Sequence, residues 1–190
     1  MKSFVEILLQ FAQLLDGMSV PYMVVGSVAS SLYGDSRATA DVDIVADLRT
    51  EKVSPLVAAL QEDFYVDAGA IHRAVQSRRS FNAIHFDSLF KVDVYVLPAE
   101  AFAQQQMERR RLEKLFPDSV REIYLASPED TVQSKLRWHR RGGETSARQL
   151  TDVLGIIRIQ GERLDIAYLR EWADKLNVRD LLDKAFKDAC

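Results

Sequence analysis

VVGSVASSLYGDSRATADVDIV, residues 24–45, starts as an apolar run, breaks at a Gly-Ser pair and ends in two aspartates flanking a single valine. Side chains alternate along a strand, so over Thr39–Ala46 Asp41 and Asp43 project from one face while Val42 and Ile44 point the other way. Two like charges on one strand face repel each other unless a cation lies between them. Paired carboxylates form a hard-oxygen site of the kind that suits magnesium, which takes one or two protein carboxylates and fills its octahedron with water and phosphate oxygens. The same stretch offers a place for those phosphates. At a strand-to-helix turn Gly26 lets the backbone approach a ligand, and the amides of Ser27 and Val28, with the Ser27 hydroxyl, can hold an anion. Arg37 shares the parity of Asp41 and Asp43, so a strand reaching that far back would aim it at the same space.

Working outward, Phe4, Ile7, Leu8, Phe11, Leu14 and Leu15 recur at helical spacing, and Gly17 is placed to end that helix. Val20–Val25 reads as a buried strand, and Ser27–Tyr33 as a short helix stopped by Gly34. Downstream, Ser54-Pro55 opens another helix and Phe64–Val66 is a short strand, while residues 67–80 carry no clear period. Phe81–Phe86 and Phe90–Leu97 read as a hairpin. In its second run Lys91, Asp93 and Tyr95 share one face, and Val92, Val94 and Val96 the other. A third aspartate on a strand could complete a two-metal arrangement with ions about 4 Å apart. Ala99–Leu115 reads as helical, Val120–Leu125 as a last strand, and Ser127-Pro128-Glu129-Asp130 as the start of a helical C-terminal third. The expected fold is therefore α/β (α+β). A small mixed sheet flanked by helices occupies residues 1–125, and a helical C-terminal lobe, residues 126–190, packs on it.

At 190 residues and 47% apolar content, the chain can bury an ordinary core. Its net charge of −3 gives no global attraction to nucleic acid, so a polyanion would need a local patch. ERRR at 108–111 reads as a solvated helix face. RWHRR at 137–141, beside Lys135 and Gly142-Gly143, is better placed to attract an acceptor such as RNA. The single cysteine, Cys190, excludes an internal disulfide and a cysteine metal cluster. His72, His85 and His139 lack metal-ligand spacing. The N-terminal segment shows neither a membrane span nor a signal-peptide cleavage site, so a cytoplasmic protein is expected.

The Gly-Ser turn, the paired aspartates and Asp93 together resemble the DNA polymerase beta-like nucleotidyltransferase superfamily. Its pattern is an apolar residue, Gly, Gly or Ser, a gap, then Asp, an apolar residue and Asp or Glu, with a third carboxylate on a later strand. Here these are Val25, Gly26, Ser27, thirteen intervening residues, Asp41-Val42-Asp43, and Asp93 in KVDVYV. RATADVDI, Arg37–Ile44, is similar to a bacterial branch that includes abortive-infection nucleotidyltransferase toxins. In that branch an Asp-to-Lys element and a further Asp follow on C-terminal helices, and Asp130 with Lys135 in EDTVQSK and Asp152 in RQLTDVLG are the matching positions. The gap is at the long end of the pattern, and the chain is short for a large acceptor-binding domain.

The resemblance implies transfer of a nucleoside monophosphate from an NTP to a hydroxyl-bearing acceptor, with Asp41, Asp43 and Asp93 as catalytic metal ligands. It implies two Mg2+ ions, or Mn2+ in their place. Gly26, Ser27, Arg37 and Lys135 would bind the nucleotide, and Asp152 would orient the acceptor, which could be an RNA end, a small molecule or a protein. Two other readings stand beside it: a non-catalytic nucleotide-binding module, and a toxin acting on RNA 3′ ends with an antitoxin partner. The residues by themselves reach only a divalent-metal phosphate site. By the same residue-level reading Lys135 could merely cover apolar surface, Asp152 could pair with Arg148 one turn earlier, and Arg37 could pair with any nearby acid.

Overall fold

The computed structural model describes residues 2–39, 41–116, 119 and 121–189. Ala40 and Val120, which the sequence reading placed in strands, and Cys190 lie outside them. Helix α1 (Phe4–Gly17) opens on a reciprocal cap, in which the Glu6 amide donates to Ser3 Oγ and the Ser3 amide to Glu6 Oε2. Its apolar stripe, Ile7, Leu8, Phe11, Ala12 and Leu15, is buried, with Phe11 edge-on against Phe64.

Among the described residues seven strands form one sheet: β1 (Tyr22–Val25), β2 (Asp41–Ala46), β3 (Phe64–Tyr65), β4 (Ser80–His85), β5 (Lys91–Val96), β6 (Arg111–Lys114) and β7 (Glu122–Leu125). Their order is β3-β4-β5-β2-β1-β7-β6. The β2/β5 and β1/β7 pairs are parallel and the others antiparallel, which makes the sheet mixed. One face of the central strands is apolar as the alternation requires, with Val42, Ile44, Val92 and Val94 buried.

Two segments differ from the sequence reading. Residues 67–80 contain a helix, α4 (Ala68–Ser77), capped by Asp67, whose carboxylate accepts from the Ala70 amide at 2.8 Å. The helical stretch expected over Ala99–Leu115 is divided: α5 (Ala101–Arg109) is helical, but residues 111–114 are strand β6. RLEK favours a helix locally. Antiparallel pairing with β7, Leu112 opposite Tyr124 and Glu113 opposite Ile123, overrides that preference.

The chain falls into two compact units, Met1–Val25 with Thr39–Leu125, and Gly26–Ala38 with Ala126–Cys190. The first contains the whole sheet, α1, α4, α5 and α3 (Val53–Leu60). The second consists of α2 (Gly26–Tyr33), α6 (Pro128–Arg141), α7 (Ala147–Gln160), α8 (Ile166–Lys175) and α9 (Arg179–Ala189). Its core joins Tyr33, Val132, Leu136, Val153, Ile156, Leu169 and Leu182. After α2 the chain lies directly on α7. A Cβ at Gly34 would come within 2.8 Å of the Ile156 amide nitrogen, and one at Gly155 within 2.8 Å of Asp35 Oδ2. A glycine inside a helix costs about 1 kcal/mol relative to alanine, and this close approach is why Gly155 stands there. Among the described residues no helix is long and apolar enough to cross a membrane.

Candidate active site

In the first unit the parallel register of β2 and β5 sets Asp43 beside Asp93, Asp41 beside Lys91 and Val45 beside Tyr95. Residues paired this way point to the same side of the sheet, so Asp41, Asp43 and Asp93 share one face with Lys91 and Tyr95. Asp41 is exposed and Asp43 and Asp93 are half-buried. Lys91 Nζ lies 2.8 Å from Asp93 Oδ2. That hydrogen bond, with the Asp93 and Asp41 charges, raises the Lys91 pKa against the opposing effect of desolvation. Tyr95 is also held above its ordinary value, first by partial burial, then by the Asp43 and Asp93 charges and a hydrogen bond to Asp43.

The donor chemistry of this face fits a hard divalent ion: carboxylates on adjacent strands, in register and reached by water, already drawing one cation in the Lys91 ammonium. The three are not yet a closed ligand set. Among the described residues no group of three or more His, Cys, Asp or Glu side chains is gathered as one, and Asp93 is engaged by Lys91.

The second unit assembles a different cluster. Gly26 enters α2 at φ 64°, a left-handed conformation that glycine adopts without strain. The Ser27 hydroxyl accepts from Arg37 Nη2 at 2.6 Å. The same guanidinium donates from Nε to Asp152 Oδ1 at 3.0 Å and from Nη2 to Asp152 Oδ2 at 3.1 Å, a two-pronged ion pair. Lys135 Nζ donates to Asp152 Oδ2 at 2.6 Å, and Ser30 Oγ lies 3.3 Å from that oxygen. Asp152 is thus the hub of Ser27, Ser30, Arg37 and Lys135, and its partners are these two cations rather than Arg148. Strand β2 begins at Asp41, so Arg37 is not carried on the aspartates' strand face; it turns to Ser27 and Asp152 instead. Desolvation pushes the Asp152 pKa up, but the hydrogen bonds from Arg37 and Lys135 outweigh it and leave the carboxyl below its ordinary value. Two cations around one carboxylate leave an excess positive charge, and Arg37, with 27% of its side chain exposed, is the outlet for it.

Asp130 and three residues of the second basic run have partners within their own unit. Ser127 caps α6 and donates to Asp130 Oδ2 at 2.9 Å, while the Tyr168 hydroxyl donates to Asp130 Oδ1. In the second basic run Arg140 pairs with Glu144 and Asp180, Arg141 lies over the Trp138 ring, and His139 is buried against the Ser146 carbonyl. Lys91, ion-paired with Asp93, is a residue to which the sequence reading gave no role. Its position two residues before Asp93, on the same face and of opposite sign, was the available signal.

Neither protein-family models nor curated sequences match this chain. Solved structures do match its fold. A nucleotidyltransferase-like protein from Paracoccidioides brasiliensis aligns with TM-score 0.54 at 18% identity, covering 93% of this chain and 88% of its own. ANT(2″)-Ia, in complex with adenylyl-2″-tobramycin, aligns with TM-score 0.59 at 14% identity over 90% of this chain and 97% of its own. The lincosamide antibiotic adenylyltransferase LnuA, lincomycin-bound, aligns with TM-score 0.51 at 15% identity over 80% and 95%. The mixed α/β architecture is thus a nucleotidyltransferase-like fold.

Proposed function

We propose that this protein is a divalent-metal-dependent nucleotidyltransferase that moves a nucleoside monophosphate from an NTP to a hydroxyl on a small molecule. The acceptor oxygen bonds to the α-phosphorus, the bridge to the β-phosphate breaks, pyrophosphate leaves, and the hydroxyl proton passes to solvent. The observation that carries this reading is the register that sets Asp43 beside Asp93, with Asp41 on the same face. The fold, shared with proteins named as nucleotidyltransferases, supports it.

Asp41, Asp43 and Asp93 would hold Mg2+, which when bound neutralises triphosphate charge as a Lewis acid. The Gly26–Ser27 turn would receive phosphate oxygens through its amides and the Ser27 hydroxyl. Arg37 and Lys135 would offset phosphate charge, with Asp152 as the positioning residue that holds both cations ready. A small hydroxylated acceptor is favoured over an RNA end because Arg140 and Arg141 of the main basic run are engaged within their own unit, and because two of the aligned structures carry tobramycin-linked or lincosamide ligands.

Pyrophosphate release with Mg2+, each NTP and a panel of hydroxylated small molecules tests this. Asp41→Asn and Asp93→Ala are expected to abolish release with unchanged circular dichroism. Consumption of labelled NTP by Asp41→Asn at the wild-type rate would refute the metal assignment. Saturable Mg2+-NTP binding in calorimetry without turnover on any acceptor would mark a non-catalytic nucleotide-binding module instead.

A further inference from the structure

Three carboxylates share the acid face of β2 and β5 with one basic side chain. Lys91 stands opposite Asp41 in the parallel register, two residues before Asp93 on the same strand face, with its Nζ 2.8 Å from Asp93 Oδ2. We infer that Lys91 is a built-in counter-ion that occupies Asp93 in the metal-free protein and must be displaced for a divalent cation to bind. The inference rests on the reading of Asp41, Asp43 and Asp93 as metal ligands.

The geometry separates what is fixed from what can move. Strand β5 lies between β4 and β2 and is hydrogen-bonded on both sides, and its alternate residues Val92 and Val94 are buried, so the backbone beneath Lys91 is held. Only the side chain is free to respond. It is 38% exposed and Asp93 is 20% exposed, so the ammonium can leave Asp93 for water without crossing an apolar barrier. Asp41, Asp43 and Asp93 alone would carry three like charges on adjacent positions, and Lys91 cancels one of them. A tethered ammonium meets the carboxylate with no loss of translational freedom, whereas a divalent ion must shed water and bring two charges. The two cations compete for the same Asp93 oxygens.

Mn2+ titration of the full chain without nucleotide, followed by calorimetry and by the electron paramagnetic resonance of free Mn2+, tests this. Lys91→Met keeps the aliphatic stem and removes the charge, so it should tighten Mn2+ binding about two- to fivefold, the range expected for losing a partly exposed ion pair. Lys91→Arg retains the cation and should bind Mn2+ as the wild type does. Lys91→Gln serves if the Met variant fails to fold, and thermal melts monitor every variant. Wild-type binding that Lys91→Met leaves unchanged or weakens overturns the counter-ion role while leaving the metal reading intact. Equal tightening by Lys91→Met and Lys91→Arg overturns it too, since the charge would not be the cause. Absence of Mn2+ binding in both the wild type and Lys91→Met removes the metal reading itself, and this inference with it.

Discussion

Asp152 and the pair Asp43–Asp93 are the same residue type in opposite settings, one buried and the other partly open. Asp152, with 4% of its side chain exposed, is satisfied by two cations and a serine, so its charge is spent inside the second unit. Asp43 and Asp93 stand half-buried in register on a sheet face, Asp93 ion-paired with Lys91 at a partly exposed position and the Asp43 charge acting on Tyr95. A carboxylate buried among cations fixes the side chains around it, whereas carboxylates gathered at a partly open face can exchange one cation for another. Each aspartate should therefore fail in its own way when altered.

The sharpest test exchanges the two assays. Asp43→Asn should lower pyrophosphate release at least about a hundredfold, the scale of losing a charge contact at a reacting phosphate, while leaving the urea midpoint unchanged. Asp152→Ala should destabilise the second unit by about 3 kcal/mol, because it leaves Lys135, with 7% of its side chain exposed, buried and unpaired. Both tryptophans, Trp138 and Trp172, lie on α6 and α8, so fluorescence-detected urea unfolding reads that unit selectively. If Asp152→Ala keeps its midpoint and Asp43→Asn loses stability, the contrast is inverted and the assignment fails.

Smaller effects refine the same comparison. Gly155→Ala should cost about 1–3 kcal/mol by overpacking, since its new methyl would press on Asp35, and the loss should appear in the tryptophan signal. The pH dependence is smaller again. Because the folded pKa of Asp152 lies below its ordinary value of 3.8, its ion pairs contribute fully above that value and are lost as pH falls through the lowered one. Acid unfolding of the wild type, followed by fluorescence, should therefore steepen below about pH 4, and Asp152→Asn should flatten that limb.

How much of this was legible in the sequence depended on the range over which each feature is decided. Asp41 and Asp43 could be placed on one face because strand alternation is local, and Asp93 because KVDVYV alternates the same way. Helix α4 escaped because AGAIHRAVQS shows only Ile71, Ala74 and Val75 as its apolar stripe, too sparse for a period to emerge. Strand β6 was hidden by helix-favouring residues whose state is set by their partner β7. The Arg37–Asp152 pair joins positions 115 residues apart, and no local rule announces such a contact. The face carrying Asp93 was legible, and the parity of Lys91 hinted at its neighbour, but the 2.8 Å ion pair between them depends on side-chain conformation that no sequence rule fixes.

Residues 26–38 make both compact units discontinuous along the chain. The segment sits between two sheet strands in chain order yet is counted with the C-terminal helices, so the polypeptide crosses from one unit to the other three times. No single proteolytic nick can release the helical unit intact. A fragment starting at Ala126 would lack Arg37 and Tyr33, uncover the apolar ridge of Val153 and Ile156, and precipitate rather than circulate as an independent module.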